Sequence, residues 1–325
     1  MRIAVLGCGS IGRRHLRNLN LIPEPHELLA YDPSEGALEI ARQESGVQGF
    51  SSLAAIWEAR PEVAFITSPS ELHVEHALAA VRQGCHVFIE KPLSHSFAGI
   101  PELEHALAET GRLAMVGCNM RFHPGPATVK RLLSEHAIGT PIAARIQCGS
   151  YLPRWRPAQD YRQSYSASVE QGGAILDCIH EIDLALWYLG PARLLGAAAV
   201  PASSIGLSTD GLAELILKHD SGVVSNVHLN FIQRDYRRTC QIIGTEGTLY
   251  WDFATRQVDH FGSEGNVVAT YPEPEAWEPN QMYRDEIAHF LDRVAQGQPP
   301  VSSLAEGWAA LCLALSARDH GRTES

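Results

Sequence analysis

The sequence predicts two domains of different class. The first is an α/β domain with a parallel sheet over residues 1–121. The second, over residues 122–325, has strands that form an antiparallel or mixed sheet with helices on one face. Three observations predict this. The chain has 325 residues, about two domains' worth. Up to Met120, short apolar runs rich in Val and Ile alternate with helical stretches, the pattern of βαβ units. From about residue 192 to 271, strands and turns follow one another with no helix between them.

Taken in order, residues 2–6 read as a strand, 11–21 as a helix, 27–31 as a strand and 34–44 as a helix. Residues 63–67, 86–89 and 113–117 continue as strands, with helices at 72–83 and 101–110 between them. These strands are nearly continuous apolar runs, as expected where helices cover both faces of a parallel sheet. Residues 122–136 and 173–189 read as helices. Strands 212–218 and 223–231 flank His219-Asp220-Ser221-Gly222, a hairpin turn, and Gly244-Thr245-Glu246-Gly247 turns the chain into strand 248–253. Helices at 280–296 and 303–317 close the chain. Residues 153–163, rich in Arg, Tyr, Trp and Pro and without a period, read as a long functional loop.

Composition excludes several function classes. Asp plus Glu number 37 against 26 for Lys plus Arg, a net charge of −11 that repels a phosphate backbone, so no nucleic-acid partner is expected. No apolar run approaches the roughly 20 residues that span a bilayer, and the first residues lack a cleavable-signal pattern. Seven cysteines are scattered singly with no C-x-x-C pair, which reads as reduced thiols in a cytoplasmic protein.

Gly7-Cys8-Gly9-Ser10-Ile11-Gly12 fits G-x-G-x-x-G directly between a strand and a helix. The first glycine permits the tight turn, the second lets backbone approach a pyrophosphate, and the third lets helix and strand pack closely. The anion would sit at the helix N-terminus, where N–H groups and the dipole favour it. Asp32 lies 20 residues beyond Gly12, at the end of the second strand, where a carboxylate accepts bonds from ribose hydroxyls. The plainer alternative is a helix-capping Asp before Pro33-Ser34. A carboxylate there also repels a 2′-phosphate, so NAD is expected in preference to NADP, although Arg13 and Arg14 follow the loop and blur that preference. Cys85 with His86, or Asp177 with His180, lacks a second cluster of matching ligands, so no metal is expected.

Two further segments bring a family into view. Glu90-Lys91-Pro92 follows strand 86–89, at the end of a parallel strand where an α/β sheet places ligand-binding groups. Gln171-Gly172-Gly173-Ala174-Ile175-Leu176-Asp177-Cys178-Ile179-His180-Glu181-Ile182-Asp183 opens a helix ending in Trp187-Tyr188-Leu189-Gly190. With the phosphate loop, these resemble the glucose–fructose oxidoreductase, inositol dehydrogenase and rhizopine-catabolism (Gfo/Idh/MocA) family. The likeness runs nearly end to end, through Thr67-Ser68-Pro69, His73, Asn119-Met120-Arg121 and Gly244-Thr245-Glu246-Gly247.

The resemblance implies a Rossmann domain followed by a domain with a large, open, mostly antiparallel sheet used to form homodimers or homotetramers. It implies NAD(P)-dependent hydride transfer between nicotinamide and a carbinol carbon of a sugar, cyclitol or sugar derivative. Gly7, Gly9, Ser10, Ile11, Gly12, Asp32, Thr67, Pro69, His73, Glu90, Lys91 and Asn119 would then line the cofactor. Lys91 and His180 would contact the substrate hydroxyl, with Arg121, Asp177 and Asp183 near it, and the bond before Pro92 is often cis.

Residue chemistry bears on the same group. At 100° per residue, Ile179, Ile182, Leu186 and Leu189 fall on one side of the helix and Asp177, His180 and Asp183 on the other, near Trp187. Such a face lines a cleft or is merely solvated. A His between two acids favours the cleft, since its pKa lies near operating pH and a carboxylate orients it. Many family members space the first acid and the histidine four apart, and here they are three apart. A related branch carries the shorter form, preceded by a loop like that at 151–166, which leaves open whether Asp177 or Asp183 orients His180. Arg154, Trp155, Arg156 and Tyr165 on that loop are candidates for the substrate or the nicotinamide face. A dehydrogenase is the leading expectation. The alternatives are a redox-neutral glycosidase or epimerase of the same fold, and a non-catalytic NAD and sugar sensor. The sensor is disfavoured because Lys91 and His180 are both present.

Overall fold

The computed structural model describes residues 1–155, 157 and 159–323, so Arg156 lies outside the described residues. The chain forms two compact units, Met1–Asn119 with Pro279–Trp308, and Met120–Glu278 with the chain from Ala309.

The first unit is built from β1 (Arg2–Leu6), α1 (Ser10–Leu19), β2 (Glu27–Tyr31), α2 (Glu35–Ser45), β3 (Gln48–Phe50), α3 (Leu53–Glu58), β4 (Val63–Ile66), α4 (His73–Arg82), β5 (His86–Glu90), α5 (Ile100–Thr110) and β6 (Ala114–Gly117). Its six strands are all parallel, in the order β3-β2-β1-β4-β5-β6. The order reverses between β1 and β4, and the crevice outside the carboxyl ends of strands at such a reversal is where open α/β sheets bind ligands. β1, β4 and β5 are buried almost throughout, matching their apolar runs.

The second unit contains α6 (Pro124–Ser134), β7 (Pro141–Tyr151), α7 (Ala174–Asp177), α8 (Ile179–Leu189), β8 (Ala192–Pro201), β9 (Asp210–His219), β10 (Val224–Asn230), β11 (Ile232–Gly244), β12 (Thr248–Asp252), β13 (Gln257–Phe261) and β14 (Val267–Pro272). The eight strands run β14-β13-β12-β11-β7-β10-β9-β8, antiparallel except for the parallel pair β7 and β10. β9 alternates strictly, with Ala213, Leu215 and Leu217 buried and Ile216 exposed, so one face carries the core and the helices α7 and α8. Among the described residues no helix is long and apolar enough to cross a membrane.

Two features depart from the sequence reading. The chain divides again at Pro279, because α9 (Asn280–Gln296) lies on α1, where Asn18 and Asn280 exchange amide hydrogen bonds of 2.8 and 3.3 Å. α10 (Leu304–Thr323) follows it. Residues 173–189 are also not one helix. Cys178 takes a non-helical φ of −94° and ψ of 29°, ending α7 before α8 begins. A uniform 100° per residue therefore does not carry from Asp177 to His180.

Candidate active site

In the first unit, β1 runs into the glycine loop and α1 starts at Ser10 with no side chain capping it. Gly7 has φ +107°, and a Cβ there would lie 2.6 Å from the Ser68 nitrogen. A Cβ on Gly12 would lie 1.8 Å from the Gly7 carbonyl oxygen and 2.8 Å from Thr67 Oγ1. Thr67 Oγ1 donates to that same Gly7 carbonyl at 2.7 Å, tying the end of β4 to the loop. Gly9 differs from both, because nothing lies within 4 Å of where its Cβ would stand. The one loop glycine with open space is thus the one that the G-x-G-x-x-G pattern expects to face a pyrophosphate, beside a helix N-terminus that no side chain caps. These residues fit an NAD molecule.

Asp32 Oδ2 accepts the Cys8 N–H at 2.8 Å and Oδ1 accepts the Ser34 N–H at 2.9 Å. The cap of α2 is Ser34, whose Oγ accepts from Ala37, so Asp32 is not the helix cap. Burial, with the Asp32 charge behind it, pushes the Cys8 thiol up to about 12, so it stays neutral beside the loop. Arg13 donates to the Cys8 carbonyl at 3.0 Å and lies 3.5 Å from Glu44, while Arg14 sits over the Tyr283 ring at 4.5 Å. Each arginine after the loop therefore has a partner within the unit. A cavity of about 520 Å³ lies at the other end of β1, lined by Met1, Ile3, Asn18 and Gln281 among others, away from the glycine loop.

The end of β5 is tied inward. The Lys91–Pro92 bond is cis. Buried His73 places Nδ1 2.9 Å from the Pro92 carbonyl and Nε2 2.8 Å from the Ser68 carbonyl, joining the segments after β4 and β5, and burial holds its pKa below the ordinary value. Pro69 is exposed, and Asn119 is buried. Lys91 is half-buried, and its backbone N–H donates to Glu90 Oε2 at 3.1 Å. Glu90 is itself buried, with Oε1 2.6 Å from His15 Nε2. Burial alone would raise its pKa, but the His15 hydrogen bond and nearby positive charge outweigh this and hold the carboxyl below its ordinary value.

In the second unit the two glycines before α7 have separate reasons. A Cβ on Gly172 would lie 2.3 Å from the Tyr165 carbonyl oxygen, and one on Gly173, at φ +94°, 2.1 Å from Asp210 Oδ1. Asp210 on β9 accepts the Ile175 N–H at 2.9 Å and so holds the start of α7. Asp177, His180 and Asp183 are all buried, at 5%, 7% and 1% exposure, so the acid–His–acid group is not a solvated face. The Tyr165 hydroxyl donates to Asp177 Oδ1. Arg121 grips Asp183 with two bonds, Nη2 to Oδ1 at 2.6 Å and Nε to Oδ2 at 2.9 Å, and lies 5.5 Å from the Trp187 ring. Glu181, fully buried, pairs with Arg238 Nε at 2.7 Å. Trp155 donates to Ser150 Oγ at 2.9 Å, and Arg154 lies 5.7 Å from the Tyr151 ring.

Each unit thus brings its own set of expected residues together. The loop glycines, Asp32 and Thr67 converge in the first, and Arg121, Tyr165, Asp177, His180 and Asp183 lie on adjoining segments of the second. His15, Asp210, Arg238 and Glu286 escaped the sequence reading. His15 stands three residues beyond Gly12 on α1, a spacing that places it one helical turn along the same face, and this was the only local signal among them.

Comparison with known proteins agrees with this architecture. Residues 1–118 match the oxidoreductase family with an NAD-binding Rossmann fold, GFO_IDH_MocA, and residues 127–250 match the GFO/IDH/MocA C-terminal domain. The chain is 26% identical over 319 residues to scyllo-inositol 2-dehydrogenase (NAD(+)) of Bacillus subtilis, covering 93% of this chain and 88% of that one. It is 26% identical to myo-inositol 2-dehydrogenase of Thermotoga maritima, covering 98% and 95%. Among solved structures, levoglucosan dehydrogenase with NADH and levoglucosan superposes with a TM-score of 0.88 at 20% identity, over 100% of this chain and 98% of the other. The two-unit fold, the phosphate loop, the Glu-Lys-Pro turn and the buried acid–His–acid segment, together with matches in both halves, show that the chain is an oxidoreductase of the Gfo/Idh/MocA family with an NAD-binding Rossmann domain.

Proposed function

We propose that this chain is an NAD-dependent dehydrogenase acting on a CH–OH carbon of a sugar, cyclitol or sugar derivative. The observation that carries the reading is the burial of Asp177, His180 and Asp183 within seven residues of chain, with Asp177 held by Tyr165 and Asp183 by Arg121. A purely structural segment has little reason to bury three ionisable groups so close together and supply them with partners. Bound NAD supplies the hydride acceptor at nicotinamide C4. The ammonium of Lys91 stabilises developing alkoxide charge and the His180 imidazole takes the hydroxyl proton, two tasks that need different groups. Asp32, whose carboxylate lies at the end of β2, favours NAD over NADP, a preference supported by the partners of Arg13 and Arg14 within the unit.

The test is a panel of sugars and polyols with NAD, read by NADH absorbance. Lys91→Ala and His180→Ala should each cut turnover by about 10²–10⁴, and His180→Ala should leave NAD binding intact. Near-wild-type turnover in His180→Ala would sink the reading, and product without net NADH would assign the chain to redox-neutral chemistry instead. We also propose that the outer face of the eight-stranded sheet, where Val200, Ile216 and Val224 are exposed, covers itself against a second copy of the chain. A monomer at micromolar concentration by light scattering counts against it. The seven cysteines, scattered singly with no C-x-x-C pair, suit a reducing, cytoplasmic setting.

A further inference from the structure

Beneath the Glu-Lys-Pro turn, the first unit buries three ionisable side chains from three separate elements. His15 on α1 and Glu286 on α9 are 0% exposed and Glu90 at the end of β5 is 6% exposed. One ligand atom from each lies within 4.8 Å of the other two. They are walled by rings, with His15 5.6 Å from Phe65 and 5.3 Å from Phe88, and Phe290, one turn beyond Glu286, edge-on to both. Glu90 has its hydrogen bonds, to His15 and to the Lys91 backbone. Glu286 has none, since no group among the described residues donates to either of its oxygens.

A buried carboxylate without a donor costs several kcal/mol, and a second carboxylate nearby adds repulsion, so the pair cannot both be ionised. A divalent cation is the other way to satisfy His–Glu–Glu. However, His15 Nε2 and Glu90 Oε1 are 2.6 Å apart, whereas tetrahedral ligands at about 2.0–2.1 Å from an ion sit about 3.3 Å from each other. The separation is that of a hydrogen bond, and a proton fits it.

We infer that Glu286 is a neutral carboxylic acid whose hydroxyl proton is shared with the His15–Glu90 pair, and that it acts as a positioning residue holding Glu90 under the Lys91 backbone. Glu286 then faces an anionic Glu90, the His15 ring and, on its own helix, Tyr283. Lys91 and His73 act on Glu90 from outside the triad, and Arg14 covers the Tyr283 ring. Burial and the Glu90 charge both push the Glu286 carboxyl well above its ordinary value, in keeping with this arrangement. The role of the triad in turnover rests on Lys91 being the catalytic lysine proposed above, whereas its protonation does not.

The experiment is infrared spectroscopy of the full chain carrying ¹³C-labelled glutamate, joined to unfolding measured against pH for wild type and Glu286→Gln. A protonated-carboxyl stretch at neutral pH that shifts with the label, distinguishing it from Asp210, is expected in wild type. It should vanish in Glu286→Gln. Above the ordinary glutamate range the wild type should lose folding equilibrium constant about tenfold per pH unit relative to Glu286→Gln, because only the folded wild type keeps the proton. Glu286→Gln, a neutral mimic, should keep turnover, while Glu286→Ala should lose roughly 10- to 100-fold. No labelled stretch, or parallel pH profiles, overturns the neutral acid. Stoichiometric divalent metal in the purified protein that is lost in Glu286→Gln overturns it in favour of a cation. A wild-type stretch with unaffected turnover in Glu286→Ala removes the positioning role alone.

Discussion

Replacing Asp183 by Asn separates two roles that sequence reasoning left open. In the structure both carboxylate oxygens accept from Arg121, and the two side chains are 2% and 1% exposed. Removing one partner of a buried pair leaves an uncompensated charge and costs about 3–5 kcal/mol. Asn keeps one acceptor oxygen for one of the two guanidinium N–H groups, which puts the loss near 3 kcal/mol, at the lower end of that range. The second unit has about 175 residues, and for that size each kcal/mol lowers Tm by about 2–4 °C, so the transition should fall by roughly 6–12 °C. Differential scanning calorimetry reads this directly. Arg121→Met with Asp183→Leu, which removes both charges, should recover most of the loss. If Asp183→Asn leaves Tm within about 2 °C but abolishes turnover, the ion pair is not what the carboxylate is for, and Asp183 orients His180 after all.

Two further outcomes follow from local geometry. Gly9→Ala should fold normally, since its Cβ meets nothing within 4 Å, yet weaken NAD binding by calorimetry, whereas Gly12→Ala, 1.8 Å from the Gly7 carbonyl oxygen, should lower Tm; equal effects on both quantities would refute the assignment. His123, fully buried, accepts the Gly125 N–H at the start of α6, and burial followed by the Arg238 and Arg256 charges lowers its pKa to about 3. Because the unfolded chain takes up this proton near 6.5 and the folded chain does not, stability should be full above 6.5. It should fall by about 1.4 kcal/mol per pH unit as the pH drops toward 3. His123→Asn keeps a capping acceptor and should flatten that slope, and superimposable slopes would count against the reading.

Legibility in the sequence followed the range of the interactions. β1, β4 and β5 announced themselves because strands covered on both faces are apolar at every position. The phosphate loop and Asp32 were legible because turn, helix start and carboxylate lie within one βαβ unit. β7 was not, although it is one of the two central strands, because its outward positions carry Arg145 and Gln147 and its inward ones include Ala144 and Cys148, a weak alternation. The break at Cys178 is a backbone turn that no residue pattern marks, so helical periodicity ran straight through it, and the start of α7 is held by Asp210 on a distant strand. The partners of the acids were equally hidden. Arg121 lies 62 residues from Asp183, Arg238 57 from Glu181 and Glu90 75 from His15, and no local pattern reports such pairs.

The return of the chain to its first unit at Pro279 bears on synthesis. The cofactor domain is discontinuous: α1 is made early, but the helix that lies on it and completes the His15–Glu90–Glu286 cluster is not translated until the stretch Met120–Glu278 has passed. At about 5–20 residues per second, those roughly 160 residues take on the order of 10–30 s. During that interval the nascent sheet carries a buried-type histidine and carboxylate with no cover. A gene fragment ending near residue 120 should therefore yield an insoluble or chaperone-held product rather than a small NAD-binding domain. A workable minimal version has to splice the last helices back on, for instance by circular permutation that makes Pro279–Trp308 contiguous with Met1.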